Sequence, residues 1–165
     1  MPKLATGIWT ADAGFTLLEV LVTLALIGIL TGLAVLSITG FSGTEASLER
    51  EVQRLAARLE HHRDEAVLLS DTRGLWLAAD RYQFLRRNRS GDWQMLDTEQ
   101  RLMSGASLVL SMDERTVILN PDAPPQIWLT AVGEVTPFVI ELSVDDSRYQ
   151  LSADIVGRVQ WQRLP

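Results

Sequence analysis

Phe15–Ile38, FTLLEVLVTLALIGILTGLAVLSI, decides how this chain is read; it follows Gly14 and contains one ionisable side chain, Glu19. As a helix its 24 residues span roughly 36 Å. That is enough to cross a hydrocarbon core of about 30 Å with some tilt. A cleaved secretory signal has a shorter apolar core, about 7–15 residues, and a small-x-small cleavage site. The nearest such site here, Gly40-Phe41-Ser42, is a poor one. A plain anchor leaves Glu19 unexplained, because an acidic side chain costs about 2.5–3.5 kcal/mol at the centre of a membrane helix and less near its end. Cleavage after Gly14 supplies a partner. It makes Phe15 the new N-terminus and sets a positive amine one helical turn before Glu19, near the positive end of the helix dipole. In an assembly the amine of a neighbouring subunit serves equally, and either pairing lowers the desolvation cost of an isolated charge. Gly28 and Gly32 lie four apart on one face. They read either as a close-approach surface for another helix or as the ordinary glycine content of membrane helices.

Outward from this stretch the charge is uneven. The 165-residue chain has a formal net charge of −6, and its single lysine, Lys3, precedes Gly14. An acidic chain does not attract nucleic acid over its whole surface, and the C-terminus offers only Arg158 and Arg163 as a basic pair. Nucleic acid is therefore not an expected partner. With no cysteine, disulfide and thiolate chemistry are excluded, while an exported location stays open.

After the apolar run, Gly40, Ser42, Gly43 and Thr44 read as a break, with capping-box spacing from Ser42 to Glu45. A continuous helix is the alternative. Leu48, Val52, Leu55, Leu59, His62, Ala66 and Leu69 then recur at 4-3-4-3-4-3 spacing, one apolar stripe down a helix. Three heptads are marginal for a coiled coil, so the stripe is expected to pack on the chain's own sheet. His61 and His62 are adjacent and point in different directions. They cannot share a metal as an i, i+4 pair does, and His62 reads as a partly buried structural residue.

The remainder is strand-like. Leu75–Ala79 and Tyr82–Arg86 flank Asp80-Arg81, and Ser90-Gly91-Asp92 precedes Trp93–Leu96. Ser107–Met112 and Thr116–Leu119 flank Asp113-Glu114, and the proline-rich Asn120–Pro125 reads as a loop. Phe138, Ile140, Leu142 and Val144 alternate with polar or smaller neighbours. After Asp145-Asp146-Ser147, so do Tyr149, Leu151, Ala153 and Ile155, before a last strand over Arg158–Gln162. Period-two alternation with one apolar face predicts antiparallel sheet buried on one side.

The string Gly14-Phe15-Thr16-Leu17-Leu18-Glu19-Val20-Leu21 resembles the processing site of type IV pilins and type II secretion pseudopilins. The resemblance implies cleavage after Gly14 by prepilin peptidase, N-methylation at Phe15 and assembly guided by Glu19. It also implies an α+β, pilin-like fold whose long N-terminal helix packs on an antiparallel β domain. Residues 1–14 then form the leader, 15–39 the transmembrane and assembly helix, 40–70 a periplasmic amphipathic helix and 71–165 a periplasmic β-rich domain. Loop charge does not set this orientation, since Lys3 is outnumbered by Arg50, Arg54 and Arg58 on the other side; the resemblance does. A second segment, Trp128-Leu129-Thr130-Ala131-Val132-Gly133-Glu134-Val135-Thr136-Pro137-Phe138, is similar to the end of the minor pseudopilins of the protein H type: strand, glycine-containing turn, threonine-proline, strand. The partners so implied are major and minor pseudopilins, the peptidase, an inner-membrane secretion platform, and lipid before assembly. A minor pilin of a type IV pilus is the alternative.

Catalytic motifs are missing from the sequence: it has no Gly-x-Ser-x-Gly elbow, no phosphate-binding Gly-Lys loop and no HExxH. Asp145-Asp146 is the one hint of calcium, and two aspartates between strands more often form a turn. No cofactor, metal or enzyme activity is expected. The five tryptophans are expected to fill the core or a subunit contact.

Overall fold

A computed structural model describes the backbone of residues 17–165 and the side-chain surroundings of residues 17–29 and 43–165. Helix α1 spans Leu17–Leu69. The backbone is helical through 40–44, and no separate helix starts at Ser42. Residues Met1–Phe41 and Ser42–Pro165 are two compact units.

In the second unit α1 is followed by ten strands: β1 (Thr72–Leu77), β2 (Arg81–Arg87), β3 (Trp93–Met95), β4 (Gln100–Arg101), β5 (Ser107–Met112), β6 (Arg115–Val117), β7 (Ile127–Leu129), β8 (Phe138–Val144), β9 (Ser147–Ala153) and β10 (Val159–Leu164). They form two antiparallel sheets, ordered β3-β2-β1-β7 with β4 also on β2, and β10-β9-β8-β5-β6. The chain interleaves them. It leaves the first sheet after β4, builds the β5–β6 hairpin in the second, returns for β7 against β1, and finishes with β8, β9 and β10.

Leu48, Val52, Leu55, Leu59 and Ala66 of α1 are fully buried. They share one core with Leu75, Leu77, Phe84 and Leu129 of the first sheet and Leu110, Ile140, Leu142 and Leu151 of the second. Burial along β8 alternates at every residue, as a sheet with one face in the core requires. The stripe on α1 stops one turn earlier than its spacing implies, since Leu69 is exposed. There the Ser70 N–H donates to the Val67 carbonyl (3.3 Å) and the Asp71 N–H to the Ala66 carbonyl (3.1 Å), with Ser70 at φ 50°. This is a Schellman ending with a non-glycine residue in the left-handed position. Relieving that conformation with Ser70→Gly is expected to stabilise the domain by about 0.5–1 kcal/mol, read as a higher denaturation midpoint at unchanged slope.

The hairpins follow their turn residues. Asp113 and Glu114, both at positive φ (50° and 61°), connect β5 to β6, as the twist of a two-residue type I′ turn demands. Asp145-Asp146 joins β8 to β9, with Asp145 at positive φ (49°) and Val144 opposite Ser147. Of the two places expected for the tryptophans, the core is excluded for the four described: Trp76, Trp93, Trp128 and Trp161 are none of them buried. Trp93 meets Trp128 edge-on at 5.4 Å, and Trp128 pairs with Gly74 of β1 in register. The alternation of β1 puts Gly74 on the face opposite Leu75 and Leu77, so this aromatic pair lies outside the core. The fifth, Trp9, lies outside the described residues.

Candidate assembly interface

The first unit carries the residues on which the sequence reading turns. Gly14 and Phe15 lie outside the described residues, and with them the proposed pairing of Glu19 with a new N-terminus. From residue 17 to 29 the chain is helical and every side chain is exposed. Leu17 is 87% and Ile29 61% accessible, along with Leu18, Leu21, Leu24 and Ile27. A surface this apolar has its place against lipid or other protein, not water. Its polar groups are largely satisfied within the helix: the Thr23 hydroxyl donates to the carbonyls of Glu19 and Val20, at 2.9 Å each. A Cβ added at Gly28 meets nothing within 4 Å, so that side of the helix is open to a close neighbour. Gly32 is helical, but its surroundings lie outside the described residues. Among the described residues no helix is long and apolar enough to cross a membrane; side chains 30–42, which complete the apolar run, are not in that set.

In the second unit a buried polar clasp joins α1 to the first sheet. Arg73 at the start of β1, only 3% exposed, donates from one guanidinium nitrogen to His62 Nδ1 (3.0 Å) and to Glu65, and from Nε to Asp71 (3.0 Å). Arginine can only donate, so His62 Nδ1 accepts and its proton sits on Nε2, 4.0 Å from Asp97. Asp97 pairs with Arg58, whose guanidinium lies over the rings of Tyr82 and Phe84 at 5.5 and 5.3 Å. The His62 ring is itself 4.0 Å from that of Phe84. Burial, then the Arg73 charge, lowers the His62 pKa to about 4, against the opposing pull of Glu65. Burial raises the Glu65 pKa, but the Arg73 hydrogen bond and charge outweigh it and the carboxyl is held below its ordinary value. The sequence reading placed His62 correctly and missed its partners. A signal was available: Arg73 is two residues before Leu75 and four before Leu77, on the same face of β1.

Residues 9–35 match the prokaryotic N-terminal methylation motif, and residues 51–157 match the family Type II transport protein GspH. The chain is 35% identical over 145 residues to "Type II secretion system protein H" of Pseudomonas aeruginosa, covering 81% of this chain and 84% of that protein. It is 28% identical to the protein of the same name from Aeromonas hydrophila, covering 90% and 92%. Among solved structures, the fold is similar to that of the minor pseudopilin EpsH from the Type 2 Secretion System of Vibrio cholerae. The TM-score there is 0.61 at 21% identity, covering 72% of this chain and 97% of that one. The solution structure of E. coli GspH gives a TM-score of 0.59 at 16% identity, covering 76% and 92%.

Proposed function

The chain belongs to the type II transport protein GspH family and is a minor pseudopilin, and on that premise we propose how its N-terminal residues carry it into a fibre. Prepilin peptidase cleaves after Gly14, Phe15 becomes the N-methylated terminus, and the apolar helix holds the subunit in the inner membrane with its β domain in the periplasm. The secretion platform then moves the helix from lipid into a pseudopilus whose growth drives folded proteins through the outer membrane. Glu19 sets register by meeting the amine of an adjacent subunit, with Gly28 and Gly32 as the close-packing side. The observation that carries this reading is the run of exposed leucine, isoleucine and valine from residue 17 to 29, broken by one carboxylate. Leaving lipid for a bundle of like helices conserves its apolar contacts, and the carboxylate is the group that gains.

Two variants test it in cells lacking the native subunit. Gly14→Leu is expected to leave the precursor uncleaved and Phe15 unmethylated by intact mass, with export of folded cargo abolished. Normal cleavage of that variant rejects the assigned site. Glu19→Val is expected to be cleaved as usual yet to enter the fibre on the order of ten-fold less, because the amine it met is left without a counter-charge. Wild-type incorporation of that variant removes the role given to Glu19.

A further inference from the structure

Three of the five tryptophans share one side of the first sheet. Strand alternation and register put Trp76 of β1, Gln83 and Leu85 of β2, Trp93 of β3 and Trp128 of β7 on the face turned away from the core. Tryptophan is a residue type that docking surfaces concentrate at their centres. Part of this face is already covered, and what covers it is proline. The Trp128 indole N–H donates to the Pro125 carbonyl at 2.9 Å. Pro125 lies so close to β1 that a Cβ added at Gly74 falls 2.6 Å from Pro125 Cβ and 2.9 Å from Trp93 Cη2. The strand carries glycine where proline and tryptophan close over it. Beside that clasp a groove of about 460 Å³ stays open, with Trp76, Gln83, Leu85 and Trp93 as its floor and Glu99 and Asp122 at its rim.

We propose that this groove binds a proline-containing extended segment of another protein, with a lysine or arginine beside the prolines. Among the described residues neither the Trp76 nor the Trp93 indole N–H donates a hydrogen bond within the chain. A polyproline II segment has no internal hydrogen bonds, so its carbonyls are free to accept, as the Pro125 carbonyl accepts from Trp128. Trp76 and Trp93 stand beside Gln83 and Arg87 of β2, roughly 13 Å apart along the strand. Such a segment covers that distance in about four residues, and being preformed it loses little entropy on docking. The rim sets the charge of the occupant. Glu99 is exposed and meets Arg81 at 3.1 Å, while the exposed Asp122 carboxylate has no contact among the described residues. A basic flank complements them; a neutral saccharide stacks on the same rings but brings no charge for this rim. The chain's own proline run is held by Trp128 and is not free to reach a second copy. The inference does not depend on how the N-terminus is processed.

Full-length chain in detergent micelles, nitrogen-15 labelled at the indoles, is titrated with a blocked peptide of repeated Ala-Pro-Pro ending in arginine. The Trp76 and Trp93 indole signals are expected to move and saturate, while that of Trp128, already bonded, stays. Replacing the prolines by alanine should weaken binding about ten-fold, and ending the peptide in glutamate about five-fold. Asp122→Arg should reverse the second preference. Trp76→Ala should cost about ten-fold; Trp76→Phe, which keeps a ring in place, should cost about three-fold through the lost donor. Unmoved indole signals at millimolar peptide, equal binding of the alanine peptide, or the same shifts produced by chitotriose each overturn the proposal.

Discussion

Acidification from pH 7 to pH 4 is expected to weaken the folded β domain by about 3 kcal/mol through His62 alone. The sign follows from where the proton goes. In the unfolded chain His62 titrates at its ordinary 6.5, whereas in the fold its pKa is about 4. Between those values the unfolded chain binds more protons, so stability rises with pH. It is complete above 6.5 and drains away as pH falls towards 4. The groups facing the ring explain the cost. Arg73 from β1 donates to Nδ1 at 3.0 Å and cannot accept a proton's worth of hydrogen bond in return. Arg58 and His61 on α1 add positive charge, and Glu65 on the same helix opposes them. Asp97, after β3, is occupied by Arg58. Glu65 adds a second loss in the same direction at lower pH, as its depressed carboxyl protonates and releases Arg73. Denaturation midpoints from pH 7.5 to 4 measure the slope. His62→Gln, which can still accept from Arg73, is expected to flatten it between 6.5 and 4; an unchanged slope in that variant places the acid sensitivity elsewhere.

Gly157→Ala is expected to destabilise the domain by about 2–4 kcal/mol, at least twice the effect of Gly105→Ala. Both glycines hold positive φ, 76° and 81°, so both substitutions carry the left-handed penalty of about 1–2 kcal/mol. Their surroundings separate them. A Cβ at Gly105 meets nothing within 4 Å, whereas one at Gly157 falls 2.7 Å from Arg63 Cδ, 2.9 Å from the Gly133 carbonyl oxygen and 3.2 Å from Val135 Cγ2. The arginine can swing aside; the carbonyl is backbone and cannot. Overpacking of this kind costs about 1–3 kcal/mol more. Moving Arg63 also removes its hydrogen bond to the Gly157 carbonyl, which ties the β9–β10 turn to α1. Paired denaturation curves give the difference directly, and equal losses at the two sites would show that the contact around Gly157 is soft.

Where sequence carried far and where it fell short differ by the range of the interaction. The buried stripe from Leu48 to Ala66 and the alternation of β8 and β9 were legible because each is periodic within one element. Turn residues marked the hairpins at Asp113-Glu114 and Asp145-Asp146. The segment from Trp128 to Phe138 showed its strand, its glycine turn at Gly133 (φ 85°) and the strand beyond. The division into two sheets was not legible. Alternation tells which face of a strand is buried but not which strand lies beside it, and β1 finds β7 some fifty residues downstream. Strand β4, two residues long, gives no period at all. For the tryptophans the sequence left core and subunit contact open, and register decides against the core for Trp128, which follows Gly74 onto the outer face of the first sheet. The reading of Gly14 and Phe15 rests on the sequence alone; the described residues begin two positions later.

In the second unit α1 closes the folded core along its own axis, with Leu48, Val52, Leu55 and Leu59 buried in a row. Within the second unit, a load along the helix axis would meet the buried contacts of Leu48, Val52, Leu55 and Leu59 in shear. Shear is shared by many contacts at once, whereas peeling breaks them singly. The cross-ties lie along the helix: Glu45 to Arg163 (2.6 Å), Arg58 to Asp97, Arg63 to Gly157, and Glu65 to Arg73. They act as rivets spaced along the helix, so such a load would be shared between them and the buried stripe.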